Sequence, residues 1–246
     1  MLQPFMQRVS RFLPDALAMW PVEVVLESGV KVLIDSQLTL QMFVELFVTQ
    51  PYLPALNLLP KPEVVVDLGA NRGLFVLFVS HCLRLRGESV PRFICVEAAK
   101  PNLKCLAHHV QANSLGDQVT LVHGAVCGKR SGTVQFYYAP RAHGMARLVE
   151  GGRLTTRGVH VVDLAAFVRS SKIDLLKVDI EGTEEEFLQE YPEILEKTRV
   201  LIGEFHLQQI NYARCQAMLG KAGLAFHSRT FQFEDKLAVD VFARWA

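Results

Sequence analysis

The stretch that decides the fold reads Glu63-Val64-Val65-Val66-Asp67-Leu68-Gly69-Ala70-Asn71-Arg72-Gly73. It is an apolar run that ends in an acid, turns through two glycines and leads into a second apolar run over 74–79. This pattern predicts a buried strand, a tight loop and the start of a helix. Because glycine has no side chain, a nucleotide-like ligand can approach the free backbone N–H groups at such a helix N-terminus. We therefore expect a ligand at the carboxyl end of this strand.

The spacing of the loop glycines separates two kinds of cofactor. A dinucleotide loop has the pattern G-x-G-x-x-G, whereas this loop offers Gly69 and Gly73 with Asn71 between them. The pattern D-x-G-A-N-x-G, with Asp67 near the strand end, resembles the first motif of S-adenosylmethionine (SAM) methyltransferases. A carboxylate at this place suits a cofactor that carries an ammonium and a sulfonium group. An ordinary strand-to-helix turn capped by Asn71 is the alternative interpretation.

The composition predicts one α/β domain. Half of the 246 residues are hydrophobic, and the formal net charge is +1. This is enough apolar material for a sheet covered on both faces, and the charge gives no reason to expect a nucleic-acid partner. The five cysteines are scattered without a C-x-x-C pair, so the sequence predicts neither a disulfide framework nor a zinc site and favours the reducing cytoplasm.

The N-terminal segment predicts a cap on the core. Pro14 interrupts the first apolar residues too early for an export signal, and no window reaches the roughly 18 apolar residues of a membrane span. We assign residues 1–60 to an N-terminal cap segment and 61–246 to the main domain of a chain that forms a single domain overall. The elements expected in the cap are a helix over 1–20, hairpin strands over 23–26 and 30–34, and a helix over 40–48.

From Glu63 onward, predicted strands and helices alternate. Such alternation predicts a mostly parallel, doubly wound, Rossmann-like sheet. The expected elements are strands over 63–68, 92–97, 118–126, 134–138, 159–162, 199–205, 224–229 and 236–244, and helices over 73–86, 101–113, 163–170 and 211–221.

An acid and two small residues stand where predicted strands end. Glu97 ends the second strand of the sheet, 24 residues after Gly73, where an acid can meet the ribose hydroxyls of a bound nucleoside. Gly124 and Ala125 close the third strand, and their small size would let the backbone approach an adenine ring. A charge that merely ends a strand in water is the alternative interpretation of Glu97.

A second strong motif reads Ile173-Asp174-Leu175-Leu176-Lys177-Val178-Asp179-Ile180-Glu181-Gly182. It predicts a buried strand that ends in Asp179. Thr183 and Glu186 then have the T-x-x-E pattern of a helix capping box. Glu184, beside them, is expected to favour the positive N-terminus of that helix.

The two motifs together resemble those of the FkbM family of SAM-dependent methyltransferases, and the similarity covers about residues 25–230. That family shows a D-x-G-A-N-x-G loop, an acid at the end of the second strand and an L-L-K-x-D-x-E-G-x-E segment. The resemblance implies SAM as the cofactor, an antiparallel last strand, and methyl transfer to a hydroxyl of a natural-product, sugar or glycan-like acceptor. The cofactor-binding residues it implies are Asp67, Gly69, Ala70, Asn71, Gly73, Glu97, Ala98, Gly124, Ala125 and Asp179.

The chain departs from the family pattern at two places. Ala98 stands where a proline commonly follows the acid of the second strand. The segment 162–164, Val-Asp-Leu, stands where the family has a T-L-D-D-like element. These departures leave the adenine wall and the acceptor side less well defined by the resemblance.

The candidates for proton transfer during catalysis are His206, Asp179, Glu181 and Glu204. We expect His206 to act as the base, since neutral imidazole accepts a proton near pH 7. A surface histidine without a chemical role is the alternative. His108 and His109 are expected to be solvated residues of a helix.

A divalent cation is the alternative use of the same carboxylates. Asp179, Glu181 and Glu204 could together bind one, because hard cations take carboxylate oxygens. The two motifs do not require a metal ion, so we expect methyl transfer without one and activity that is insensitive to EDTA.

The loop over 139–158 is rich in glycine and arginine. Arg141, Arg147, Arg153 and Arg157 are opposed there only by Glu150. A lid that attracts an anionic group on the acceptor is one interpretation, and a solvated surface loop is the other.

Three other functions stay open at this stage. N-methylation of an amine would use the same cofactor site with less need for a base. An NAD-linked oxidoreductase is disfavoured by the missing third glycine. A non-catalytic SAM-binding or assembly protein is the third, for which the apolar N-terminal region would form an oligomer interface, and a homodimer is compatible with the sequence.

Overall fold

The computed structural model describes residues 21–138, 146–148, 156–168 and 172–244, and these residues fold around a seven-stranded sheet. The predicted helix over 1–20 and most of the arginine-rich loop 139–158 lie outside the described residues. None of the helices within the described ranges is long and apolar enough to cross a membrane. All five cysteines are unpaired thiols.

Helices and strands alternate along most of the described chain. In order, they are β1 (Val22–Val25), β2 (Lys31–Ile34), α1 (Gln37–Phe43), a π-helical segment (Val44–Thr49), α2 (Leu53–Asn57), β3 (Val64–Leu68), α3 (Leu74–Leu85), β4 (Arg92–Glu97), α4 (Lys100–Ala112), β5 (Val119–His123), β6 (Thr133–Tyr138), β7 (Ala146–Leu148), β8 (Thr156–His160), α5 (Leu164–Val168), β9 (Ile173–Val178), α6 (Glu184–Glu190), α7 (Pro192–Lys197), β10 (Thr198–His206), α8 (Tyr212–Lys221), β11 (Ala225–Phe233) and β12 (Leu237–Ala243).

The central sheet has the strand order β11-β12-β10-β9-β3-β4-β5. Strand β12 is antiparallel to both of its neighbours, and the remaining pairs are parallel. The predicted doubly wound, Rossmann-like sheet with an antiparallel last strand is therefore confirmed. The chain changes direction of winding between β3 and β9, and ligands of such sheets bind at the carboxyl ends of the strands that flank this point. These two strands carry the two sequence motifs.

Each face of the sheet packs against its own apolar cluster. One cluster joins α3 to the described part of the cap and contains Val32, Leu56 and Leu59, which have no exposed surface. The other packs α6 and α7 through Phe187 and Tyr191. Burial of one such large apolar side chain contributes about 1.5–3 kcal/mol. Residues 21–60 thus share a core with the sheet, while the division into a cap (1–60) and a main domain (61–246) stays a prediction.

His109 connects the cap hairpin to the glycine loop. Its Nε2 accepts a hydrogen bond from the Leu33 amide at 3.1 Å, so Nδ1 carries the proton and donates to the Arg72 carbonyl at 2.8 Å. The side chain is buried, and this burial lowers the pKa of His109. The prediction that His109 is solvated is therefore wrong, whereas its neighbour His108 is exposed.

Two further side chains, those of Asn113 and Arg72, bind the same hairpin and the residues that follow it. The Asn113 side chain accepts from the Lys31 amide and donates to the Lys31 carbonyl, both at 2.8 Å. The Arg72 guanidinium forms an ion pair with Asp35 and donates to the Thr39 hydroxyl at 2.6 Å. The predicted hairpin exists, with β1 antiparallel to β2, and it is fastened to α4 and to the loop before α3.

We predict that replacing His109 by alanine destabilises the fold by about 1–3 kcal/mol, because it leaves the Leu33 amide and the Arg72 carbonyl buried without partners. Urea unfolding followed by circular dichroism measures the change. His108→Ala is the matched control and should stay within about 0.5 kcal/mol of the parent. Equal effects of the two substitutions would contradict the bridging role of His109.

The same histidine predicts a pH dependence of stability. Its pKa is lowered in the folded state from an ordinary value of 6.5. The stabilisation is thus present above that pH and is lost as the pH falls, since the unfolded chain takes up the proton first. The stability difference between the parent and His109→Ala should shrink between pH 8 and pH 5. A difference that stays constant over this interval would argue against a neutral buried imidazole.

Candidate active site

The loop between β3 and α3 has a backbone that favours glycine. Gly69, Asn71 and Gly73 have positive φ angles of 76°, 48° and 84°. A Cβ at Gly69 would overlap the carbonyl oxygen of Asp179, and one at Gly73 would overlap Leu106. The two motifs therefore touch through backbone atoms at Gly69. Asn71 can take the positive φ because its short side chain tolerates the left-handed region.

Glu97 holds this loop from the end of β4. Its two carboxylate oxygens accept hydrogen bonds from the Asn71 and Ala99 amides, each at 2.7 Å. The side chain is buried, and this burial raises the pKa of Glu97 to about 7 although the two amides act in the opposite direction. Each carboxylate oxygen has a second lone pair, so these bonds leave acceptor capacity for ribose hydroxyls.

A buried ion-pair cluster lies beneath the loop. The Lys177 ammonium is 3.2 Å from Asp67 Oδ1 and 3.3 Å from Asp179 Oδ2, and it donates to the Gly69 carbonyl at 3.2 Å. Burial alone would lower the pKa of Lys177, but the two carboxylates raise it, so the ammonium is charged. Burial raises the pKa of Asp67, and Lys177 opposes that shift. The cluster couples the carboxyl ends of β3 and β9.

Two oxygens beside the loop lack hydrogen-bond partners among the described residues. They are the buried side-chain oxygen of Asn71 and the buried Oδ2 of Asp67; Asp67 Oδ1 likewise makes no hydrogen bond, although the Lys177 ammonium lies 3.2 Å from it. Buried polar atoms are rarely left unpaired in a native protein, so such atoms commonly mark the place of a bound group. The free side-chain oxygen of Asn71 can accept a hydrogen bond from an amine or hydroxyl group of a ligand.

A cavity that is open to solvent lies next to this cluster. It lies between the carboxyl ends of β3, β9 and β10 and the described part of the cap. Its lining combines apolar, aromatic and acidic side chains, and it consists of Met42, Glu45, Leu46, Tyr52, Gly69, Ala70, Asn71, Phe75, Lys177, Asp179 and Glu204. The cap thus supplies one wall of the space that the two motifs face.

Glu204 lines this cavity. The Tyr52 hydroxyl of the cap donates a hydrogen bond to its carboxylate. Burial raises the pKa of Glu204 to about 8, and the negative charge of Glu45 adds to the shift. The cavity therefore holds a carboxylate that is anchored by the cap and lies beside Asp179.

His206 lies beside the cavity lining in a different environment from the predicted one. Its Nδ1 is 2.9 Å from Glu184 Oε1, and its Nε2 is 3.4 Å from Glu181 Oε2. Although burial acts in the opposite direction, the bonds to these two carboxylates raise the pKa of His206 to about 11. The imidazole is protonated near pH 7 in this arrangement. The expectation of a neutral imidazole base therefore does not agree with the structure.

The start of α6 also differs from prediction. The Thr183 hydroxyl donates to the Ile180 carbonyl at 3.1 Å instead of capping the helix, so the predicted capping box does not form. Glu184, predicted to favour the positive N-terminus of this helix, lies in its first turn and is completely buried. Its carboxylate accepts from the Gly182 amide at 3.0 Å and bonds to His206.

The residues that were predicted to lie near the adenine, Ala98, Gly124 and Ala125, are packed against other parts of the chain. A Cβ at Gly124 would overlap Val162, so the packing of the chain explains the glycine there. The Ala125 amide donates to the His160 carbonyl at 2.9 Å, and Ala125 is buried. Ala98 is half-buried next to Glu97. Contacts of these three residues with a cofactor stay a prediction.

Sequence reasoning missed four participants of the site. They are Lys177, Glu184, Glu45 and Tyr52. A lysine inside the apolar strand β9 was a usable signal, because a charge at a buried position needs a partner. Glu184 lies within a run of three acids, and Glu45 and Tyr52 lie in the cap, so neither pattern nor spacing related them to the motifs.

Comparison with known proteins identifies one family. A family model described as the methyltransferase FkbM domain matches residues 67–234, which are 168 of the 246 residues. No curated protein sequence is significantly similar to the chain.

Several solved structures are similar at low identity. Methyltransferase FkbM from Methylobacillus flagellatus is 14% identical, with 93% of this chain and 57% of that chain covered and a TM-score of 0.49. TrmK from M. capricolum in complex with S-adenosyl-homocysteine (SAH) is 8% identical, with 78% and 66% covered and a TM-score of 0.46. A protein in the NADB-Rossmann superfamily from Streptococcus agalactiae is 13% identical, with 79% and 68% covered and a TM-score of 0.48.

We predict that Lys177→Met destabilises the fold by about 3–5 kcal/mol, since it leaves Asp67 and Asp179 without their counterion. The double variant Lys177→Met/Asp67→Asn should recover part of this loss because one of the two charges is then removed. Lys172→Met, at an exposed lysine just before β9, is the control. Urea unfolding of the three variants measures the effect, and a Lys177→Met protein as stable as the control would contradict the role of the cluster.

Proposed function

Because the chain belongs to the FkbM methyltransferase family and is a SAM-dependent methyltransferase, we propose that it methylates a hydroxyl group of a small natural-product, sugar or glycan-like acceptor. When bound, SAM supplies an electrophilic methyl group. The observation that carries the proposal is the cavity in which Glu204 and Asp179 face the described part of the cap. A hydroxyl must lose its proton during transfer, and this cavity holds carboxylates that can accept it.

The proposed cofactor site uses the carboxyl ends of β3, β4 and β9. The methionine part would lie against Asp67, Gly69, Ala70, Asn71, Gly73 and Asp179, the ribose against Glu97, and the adenine near Ala98, Gly124 and Ala125. Gly69, Ala70 and Asn71 support this because all three line the cavity at the ends of these strands. Asp67 is buried behind Lys177. We infer that it acts mainly by holding Lys177 and the loop in place.

Methyl transfer from a sulfonium needs alignment and exclusion of water more than acid–base chemistry. Met42, Leu46 and Phe75 supply an apolar wall around the acidic side chains of the cavity. Glu204, held by the Tyr52 hydroxyl, is the proposed acceptor of the hydroxyl proton. Because burial raises its pKa to about 8, the ionised form that accepts the proton increases as the pH rises through that value. We therefore transfer the role of base from His206 to Glu204.

An amine acceptor is the second candidate, and one observation favours it. Three carboxylates, those of Glu45, Asp179 and Glu204, line the cavity, and a positively charged amine would be attracted to them. The same lining disfavours an anionic group next to the transferred methyl group. An anionic acceptor is a prediction that rests only on the arginines of the loop over 139–158.

We also propose a cytoplasmic location, because the five cysteines are unpaired thiols.

We predict that the purified chain binds SAM and SAH in isothermal titration and does not bind NAD. Glu97→Gln should weaken binding of SAM at least about tenfold, since a hydrogen bond to a charged group contributes about 1.5–3 kcal/mol. Glu196→Gln, at an exposed position of α7, is the control and should leave the affinity unchanged. Folded protein that binds neither SAM nor SAH would refute the proposed cofactor site.

We predict that Glu204→Gln lowers kcat by about 10²–10⁴-fold on a hydroxyl acceptor, the range of a lost general base, while the Kd of SAM changes less than twofold. Acceptors are screened by the release of SAH. Glu45→Gln is the matched control, because it removes the same charge from the same cavity without removing the proposed base. Equal losses in both variants would mean that charge alone matters. Bound SAM without release of SAH for any hydroxyl or amine acceptor would favour the non-catalytic alternative.

A further inference from the structure

Three potential metal ligands meet at the carboxyl ends of β9 and β10. One ligand atom each of Asp179, Glu181 and His206 lies within 4.8 Å of the other two. The distance between His206 Nε2 and Glu181 Oε2 is 3.4 Å, which is close to the spacing of neighbouring ligands around a small divalent ion. We propose that these three side chains bind a divalent metal ion of the Mg²⁺ or Mn²⁺ type beside the acceptor cavity.

The buried carboxylate of Glu184 orients the histidine for this role. Glu184 Oε1 lies 2.9 Å from His206 Nδ1 and is itself fixed by the Gly182 amide. A metal-binding histidine commonly donates its other ring N–H to a carboxylate, which sets the tautomer and the ring direction. Nδ1 is engaged by the carboxylate of a residue with no exposed surface, so Nε2 is the nitrogen that faces Glu181 and is available to a metal.

The cluster contains more carboxylates than cationic side chains, and this excess of negative charge favours binding of a cation. Asp179, Glu181 and Glu184 face a single imidazole, and the nearby Lys177 ammonium is shared with Asp67. The second oxygen of Glu184 is buried and has no hydrogen-bond partner among the described residues. Carboxylates that are withdrawn from water need a compensating charge. A divalent ion would supply it and displace the proton from His206 Nε2.

The backbone conformation after β9 places Glu181 close to His206 at the end of β10. Glu181 and Gly182 have positive φ angles of 56° and 97°, so the chain turns sharply after β9 and brings Glu181 back toward the end of β10. The sequence-based metal set contained Glu204 in place of His206. In the structure, Glu204 is bonded to Tyr52, and His206 takes its position among the ligands.

The ligand set indicates the class of metal. Two carboxylates and one imidazole suit Mg²⁺ and Mn²⁺ better than soft, thiol-seeking ions. Three protein ligands leave coordination positions open. Asp179 also lines the acceptor cavity, which places the proposed ion at the edge of that cavity.

The role of the ion rests on the proposed function. A coordinated acceptor hydroxyl is more acidic, so its oxygen is a better nucleophile. The oxygen lone pair forms the bond to the methyl carbon, the carbon–sulfur bond breaks with its electron pair left on sulfur, and SAH leaves as a neutral thioether. The hydroxyl proton passes to Glu204. This arrangement reverses the sequence-based expectation of activity that is insensitive to EDTA.

The test is an electron paramagnetic resonance titration of the full chain with Mn²⁺, after treatment with EDTA and desalting. We expect about one bound ion per chain, displaced by excess Mg²⁺. Glu181→Gln and His206→Ala should each weaken binding by more than tenfold, and Glu184→Gln by about 10–100-fold as an orienting residue. Glu185→Gln and His108→Ala are the matched controls and should bind as the parent does.

Two results would overturn the proposal. One is a folded parent chain that binds no Mn²⁺. The other is binding that neither Glu181→Gln nor His206→Ala weakens, with folding of the variants checked by thermal unfolding. SAM is titrated into the same metal-free sample. Binding of SAM without binding of Mn²⁺ refutes the metal site alone, whereas binding of Mn²⁺ without binding of SAM refutes the proposed function and leaves the metal site standing.

Discussion

The buried ammonium of Lys177 is the constraint on which the rest of the site depends. Asp67 on β3 and Lys177 on β9 are register partners in a parallel pair, so the sheet itself brings the two charges together. A lysine in this interior position is tolerated only because two carboxylates and a carbonyl surround it. In return, it fixes the side chain of Asp179 and the carbonyl of Gly69. The position of the glycine loop relative to the second motif follows from these contacts.

Around this centre, the cap and the loop are joined by polar contacts rather than by apolar packing alone. Arg72, within the loop, pairs with Asp35 through its side chain and accepts from His109 through its carbonyl. His109 in turn reaches the hairpin at Leu33. Movement of the described part of the cap would therefore displace the backbone that is proposed to hold the cofactor. A chain of side-chain contacts thus links the described part of the cap to the glycine loop.

The sequence predicts most of the fold because its strongest patterns are local. The apolar run before Asp67 and the alternation that follows it predict the sheet, and the spacing of Gly69 and Gly73 predicts the loop. What the sequence does not predict are contacts between distant residues, such as that of Tyr52 with Glu204, 152 positions apart. The raised pKa of His206 was also out of reach, because it depends on contacts with Glu181 and Glu184, and Glu184 is buried. An acid in the run over 184–186 looks solvated until the packing of α6 is known.

The shared core of the cap and the sheet has a consequence for how such an enzyme can change its substrate. Leu56 and Leu59 are as deeply buried as the residues of α3 against which they pack. A cap that is built into the core in this way cannot be exchanged as a module without rebuilding one face of the sheet. Under the proposed function, a change of acceptor is thereby directed to single substitutions in the cavity lining, at positions such as Met42 and Leu46.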